Sequence, residues 1–163
     1  MKFFEDTVYI GEIVLQVKIA QKAYERLEFY EDSIDVWSSI QSILIATANI
    51  SKILWPNKKY HDRGVRLQKM LNISDDNILR DRTFRNHFEH YDERIATQFK
   101  NGANGLYIDL AMNPDFSFSA QSTNRGYNTI NKTVVFRGQK FDLGKLNTAM
   151  SEILEKCRPY TFV

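Results

Sequence analysis

Residues 34 to 55 constrain the fold more than any other stretch. Apolar side chains recur there on most sides of a helix, interrupted by Asp35, Ser38, Ser39, Gln41, Ser42 and Asn49. The segment is too broken by polar residues to be a membrane span and too apolar to be a surface helix. It predicts a central helix that other elements cover. Pro56 and Asn57 end it, because proline disfavours helical geometry in the residue before it. A turn at Glu31-Asp32-Ser33 precedes it.

The covering elements follow from periodicity. Residues 11 to 29 repeat apolar positions through Val14, Val17 and Ala20 and predict a first helix. Residues 63 to 71 (RGVRLQKML) predict a short basic helix. Residues 72 to 76 are a break, with Ser74, Asp75 and Asp76 as candidate N-caps for a fourth helix over about 76 to 99. Beyond the turn cluster NGANG, residues 106 to 110 (LYIDL) and 132 to 136 (KTVVF) have strand character. Arg137-Gly138 is a hairpin turn, and the polar stretch NPDFSFSAQSTNRGYN between the strands is a loop. Residues 142 to 157 predict a closing amphipathic helix, with Leu143, Leu146, Met150, Ile153 and Leu154 on one side and Pro159 beyond its end. The expected class is mainly α: a bundle of about five helices with a small β-hairpin insertion before the last helix, one domain over residues 1 to 163.

Composition narrows the function. The chain is 43% hydrophobic and 26% charged, with a net charge of +2, so no polycationic surface announces nucleic acid or a membrane. One cysteine, Cys157, leaves no internal disulfide framework and suggests a reducing compartment. The opening MKFFEDTVYIGE places acids within the first six residues and lacks the apolar core of a signal peptide, so the expectation is a cytoplasmic protein.

Two of the three histidines lie in RNHFEHYDER, residues 85 to 94. On an ideal helix with Arg85 at zero, Glu89 falls near ~40°, Glu93 near ~80°, Asn86 near ~100° and His90 near ~140°, while Phe84, Phe88, Tyr91, Ile95 and Phe99 lie at about 240° to 320°. His87 sits between the faces. One reading is the wet side of an amphipathic helix. A metal reading rests on His87-x-x-His90-x-x-Glu93, but Glu93 is rotated away from His87 and no cysteine or carboxylate cluster completes a ligand set.

Arg85-Asn86-His87-Phe88-Glu89-His90 has the form R-polar-x-x-x-H. It resembles the signature of HEPN domains, small helical bundles in which an arginine followed by a polar residue precedes a histidine by four to six positions. Arg82 to His87 offers a second, poorer frame. The resemblance covers about ten residues and implies a metal-independent RNA endonuclease, commonly homodimeric, of the kind found in toxin–antitoxin and abortive-infection systems. It carries no cofactor. In some such toxins a tyrosine two residues after the histidine is modified by an antitoxin partner. Asp92 stands there in this chain, and Tyr91 lies on the apolar face.

The residue types suit that chemistry. RNA carries its own nucleophile in the 2′-OH, so a general base, a general acid and a phosphate stabiliser suffice. Histidine titrates near neutrality and serves as acid or base, and arginine is a permanent planar donor array. The expected roles are His90 as acid/base, Arg85 as phosphate stabiliser, Asn86 as positioner and Glu89 as an orienting partner. Lys58, Lys59, Arg63, Arg66 and Lys69 form the expected RNA-binding cluster, against the plainer reading of a solvated basic helix. The competing hypothesis is a non-catalytic helical interaction or scaffold module that uses the same face for dimerisation or partner docking. His61 reads as an isolated surface residue. Trp37 and Trp55 read as core or dimer seam. Phe116-Ser117-Phe118 is either a base-stacking loop or one packed on the bundle. Cys157 lies between Lys156 and Arg158, which favours thiolate, yet no histidine accompanies it and it reads as structural.

Overall fold

The computed structural model describes residues 2 to 100, 107 to 114 and 123 to 161. It is mainly helical, with a small four-stranded sheet. Asp32 caps the central helix: its Oδ1 accepts from the backbone N–H of Ile34 at 2.7 Å and of Asp35 at 3.0 Å. From that cap α2 runs over Ser33–Leu54 and buries Val36, Trp37, Ile40, Ile43, Ile50 and Leu54 among others. It packs against α1, Lys2–Arg26, and α1 packs in turn against the closing helix α6, Leu143–Cys157. These three contribute most of the core.

The first helix begins well before the expected residue 11. Gly11 does not stop it, because a mid-helix glycine costs only ~1 kcal/mol and burial of Ile10, Ile13, Val14 and Val17 outweighs that. The outer face of α1 leaves Phe4, Val8, Leu15 and Ile19 exposed. A Cβ at Gly11, between them, would meet open space.

The short basic helix α3, His61–Met70, follows a 3₁₀ turn at Lys58–Tyr60. It crosses the end of α2 so closely that a Cβ at Gly64 would stand 2.4 Å from Pro56 Cδ and 2.8 Å from the Leu54 carbonyl oxygen, so only glycine fits. The expected fourth helix over 76 to 99 is not one helix. Residues 78 to 80 form a 3₁₀ turn, α4 covers only Thr83–Glu89, and α5 covers Tyr91–Lys100. The described residues thus contain six α-helices rather than about five.

The β insertion is larger than a hairpin. Strands β1 (Ala111–Met112), β2 (Arg125–Asn128), β3 (Thr133–Phe136) and β4 (Gln139–Asp142) lie in that order, with β1–β2 parallel and the other pairs antiparallel. Of the expected strand at 106 to 110, residue 106 lies outside the described residues and the rest forms only a bridge between Ile108 and Thr123, with the strand proper just beyond it. Part of the expected loop is β2, where Tyr127 is fully buried opposite Val134. The predicted turn is present: Phe136 pairs with Gln139 across Arg137 (φ 46°) and Gly138 (φ 80°), both positive as a two-residue hairpin with matching twist requires. The Arg137 side chain anchors this turn to α5, donating to the Arg94 carbonyl at 2.5 Å and to Gln98 Oε1 at 3.0 Å. Asp142 closes β4 and caps α6 at once, accepting from the Lys145 N–H at 3.0 Å. Among the described residues no helix is long and apolar enough to cross a membrane.

Candidate functional site

Helix α4 carries the R-polar-x-x-x-H segment. Its start is fixed by Asp81, whose Oδ1 accepts from the Thr83 N–H at 2.8 Å. Its inner face lies on the sheet and on α2. Phe84 stacks on Phe141 at 4.8 Å between centroids, His87 on Phe136 at 4.3 Å, and Phe88 on Trp37 at 6.4 Å. The outer face carries Arg85, Asn86 and Glu89. The helix bends at His90, whose φ of −102° and ψ of 37° are non-helical. Flanking bonds survive the bend, with His90 N–H on the Asn86 carbonyl at 3.0 Å and Arg94 N–H on the His90 carbonyl at 3.2 Å. His90 is therefore the hinge residue of a kink.

A polar cluster explains the kink. Directly after His90, Tyr91 turns inward and donates its hydroxyl to Asp109 at 2.8 Å, while also contacting the Tyr107 hydroxyl. Asp109 takes two bonds from Arg125, at 2.9 Å from Nε and 2.5 Å from Nη2. The Arg125 guanidinium lies 3.8 Å over the Tyr91 ring. Burial pushes the Asp109 carboxyl up, but the bonds from Arg125 and Tyr91 outweigh it and hold its pKa below the carboxylate range. Burial also drives the Tyr91 hydroxyl far above its ordinary value. The cluster joins residues from α5, β2 and the segment before β1, a combination with no local sequence signal.

The motif residues separate into two pairs. Arg85 donates through Nη1 to the Glu89 carboxylate, one turn on, and to Asn86 Oδ1 at 3.1 Å. The Arg85 side chain is only 13% exposed and its Nε is buried without a partner, whereas Glu89 is 46% exposed. Glu89 thus orients Arg85. His90 stands apart at 52% exposure, with Nδ1 3.4 Å from Glu93 Oε1. His87 turns the opposite way, bonding through Nε2 to Gln139 at 3.1 Å, and burial holds its pKa below the ordinary histidine value, with Arg94 and Arg137 adding to that. His87 therefore turns away from His90 and Glu93, and the described residues contain no group of three His, Cys, Asp or Glu side chains placed to hold a metal ion.

The expected RNA-binding cluster is divided. Lys58, Lys59 and Lys69 are exposed. Arg66 is fastened to buried Asp6 of α1 by three bonds of 2.7 to 3.0 Å. Arg63 donates to the Tyr9 hydroxyl at 3.2 Å and to the Lys52 carbonyl at 3.1 Å, with its guanidinium over the Tyr9 ring. Arg82, from the second frame, clasps the end of α2: it donates to Ser51 Oγ at 2.8 Å and to the carbonyls of Ser51 and Trp55 at 3.1 and 2.5 Å. Burial lowers the Arg82 pKa, and the neighbouring charge of Arg85 lowers it further.

The remaining candidates have plain places. Trp37 is core, and Trp55 is half-buried with Nε1 donating to Asp75 at 3.0 Å. His61 is exposed on the rim of a cavity. Cys157 is fully buried, and burial pushes its thiol up to about 12, so the basic neighbours do not make it a thiolate. Phe116, Phe118 and the NGANG segment lie outside the described residues. Compared with protein-family models, curated proteins and solved structures, the chain matches none.

Proposed function

We propose that the protein is a HEPN-like, metal-independent RNA endonuclease acting through Arg85 and His90. The observation that carries this reading is the outer face of α4 at the kink. Arg85, Asn86 and Glu89 form one hydrogen-bonded group, and His90, the next residue along, carries an imidazole open to solvent at the kink. Arg85 stabilises charge that builds on the scissile phosphate, while Asn86 and Glu89 fix its guanidinium. His90 exchanges the proton with the attacking 2′-OH or the departing 5′ oxygen, and Glu93 beside Nδ1 orients its ring. One Arg–His pair per chain serves one proton transfer, so a homodimer pairing two such faces supplies the complementary acid and base. A cytoplasmic role under an antitoxin or other regulatory partner fits the same reading.

The test is a defined single-stranded RNA beside its fully 2′-O-methylated copy. The reading predicts cleavage of the first alone, with 2′,3′-cyclic phosphate ends. Equal cleavage of both would contradict it, because the methylated strand has no internal nucleophile.

A second reading, a non-catalytic interaction module, is favoured by the Arg85–Glu89 pair itself. An arginine neutralised within its own helix suits a structural role, and the exposed apolar face of α1 suits a protein that docks. A folded protein that neither binds nor cleaves RNA would follow this reading.

A further inference from the structure

Two cavities adjoin where α3 crosses the end of α2. One, of about 350 Å³, has Trp55, His61, Arg80 and Arg82 among its walls. The other, of about 370 Å³, includes Lys52, Tyr60, Arg63 and Arg82. Pro56 and Arg82 belong to both, so the two make a single groove divided by those side chains.

The groove's charges differ from those of the rest of the basic surface. Arg66 is neutralised by Asp6, and Arg80 faces Asp75 at 3.5 Å. Arg63 and Arg82 are held only by uncharged acceptors: a phenol, a hydroxyl and backbone carbonyls. Both are fixed in place without a carboxylate partner. Asp75 also lines the first cavity, where it meets Arg80 and Trp55, so the cationic wall of the groove is the one formed by Lys52, Arg63 and Arg82. Aromatic surface lies beside these cations, from half-buried Trp55, pinned by its bond to Asp75, and from Tyr60, 45% exposed. Fixed cations beside aromatic rings suit a strand that presents phosphates and unpaired bases together.

We propose that this groove binds single-stranded RNA, taking phosphates on Lys52, Arg63 and Arg82 and a base against Trp55. The inference rests on the ribonuclease reading and supplies its approach path, since Arg82 borders the groove and neighbours Arg85. It moves the expected RNA contact away from Arg66 and Lys69 and towards the end of α2.

The test uses the full chain carrying His90→Ala, in excess EDTA, with a 5′-fluorescein single-stranded RNA dodecamer followed by anisotropy across a salt series. Lys52 is exposed, and its side chain can be changed without touching the core. Lys52→Gln is expected to flatten the slope of log K against log salt by about 0.7, which is about a 5-fold loss of affinity at 0.1 M salt. Lys145→Gln on α6 is expected to change neither. RNA is expected to quench tryptophan fluorescence, and Trp55→Phe to remove that response because Trp37 is buried. Arg82 docks α4 on α2, so Arg82→Lys, which keeps the charge, is the variant of choice there, with affinity retained. RNA bound with the same slope in Lys52→Gln and no change in fluorescence would overturn the groove, and so would no binding at any salt. Binding through Lys52 and Trp55 without cleavage by the wild type would uphold the groove and sink the ribonuclease reading. Cleavage that needs Arg85 but ignores Lys52 and Trp55 would do the reverse.

Discussion

The guanidinium of Arg125 lies 3.8 Å over the ring of Tyr91, one residue beyond His90. That stacking, with the two bonds Arg125 makes to Asp109, ties the sheet to the helix pair and sets where His90 stands. Asp109→Ala would leave Arg125 largely buried without its counter-charge. The expected cost is about 3 kcal/mol, as for breaking other buried pairs from one side. Urea unfolding of wild type and variant checks it, and a change below the ~0.5 kcal/mol typical of surface substitutions would show that the cluster does not hold the kink.

Arg66 tests whether the basic helix is structural or functional. It satisfies Asp6, which is 2% exposed. Arg66→Ala is expected to destabilise the fold by about 3 kcal/mol through the stranded carboxylate. Asp6→Asn/Arg66→Gln together should recover part of that loss. RNA affinity of the folded fraction should stay close to that of the parent, measured by anisotropy in the His90→Ala background.

The sequence made some of this legible and hid the rest for identifiable reasons. The end of α2 at Pro56, the two-residue turn at Arg137-Gly138 and the start of α6 at Asp142 are encoded by neighbouring residues, and they stand where expected. The kink at His90 is not encoded in that way. An ideal wheel runs smoothly through residues 85 to 94, and the bend comes from Asp109 and Arg125, which reach Tyr91 from distant segments. Strand β2 was hidden because RGYN is polar and contains glycine, and only pairing with β3 buries Tyr127. Arg63 and Arg66 looked free because their partners Tyr9 and Asp6 lie 54 and 60 residues away. The candidate motif itself was visible as a string, but its division into Arg85–Glu89 and His90–Glu93 was not.

His87 gives the fold a defined acid sensitivity. Its folded pKa lies below the ordinary 6.5 because burial disfavours the charged ring. Between that lowered value and ~6.5 the unfolded chain binds a proton that the folded chain refuses, so stability falls as pH drops through this window and is fully present above it. His87→Phe, which keeps a ring on Phe136, should flatten the fall in Tm between pH 7.5 and 5.5. An equal fall in both proteins would show that another group is responsible.

Cys157 should behave as an inert core thiol. With its pKa pushed up to about 12 and no exposed surface, it should react with a disulfide reagent at pH 8 only as fast as the protein opens. Labelling should accelerate sharply in urea above the unfolding midpoint. Stoichiometric labelling of the native protein within seconds would contradict its burial.

The central claim is that Arg85 and His90 cleave RNA without a metal. The measurement that tests it most directly is incubation of total RNA with the purified protein in excess EDTA, beside Arg85→Ala and His90→Ala, each shown to be folded by circular dichroism. The account predicts cleavage by the wild type, reduced at least ~100-fold by either substitution, as expected for loss of a general acid–base group or a charge-stabilising donor. Cleavage that EDTA abolishes, or that both variants retain, would contradict it.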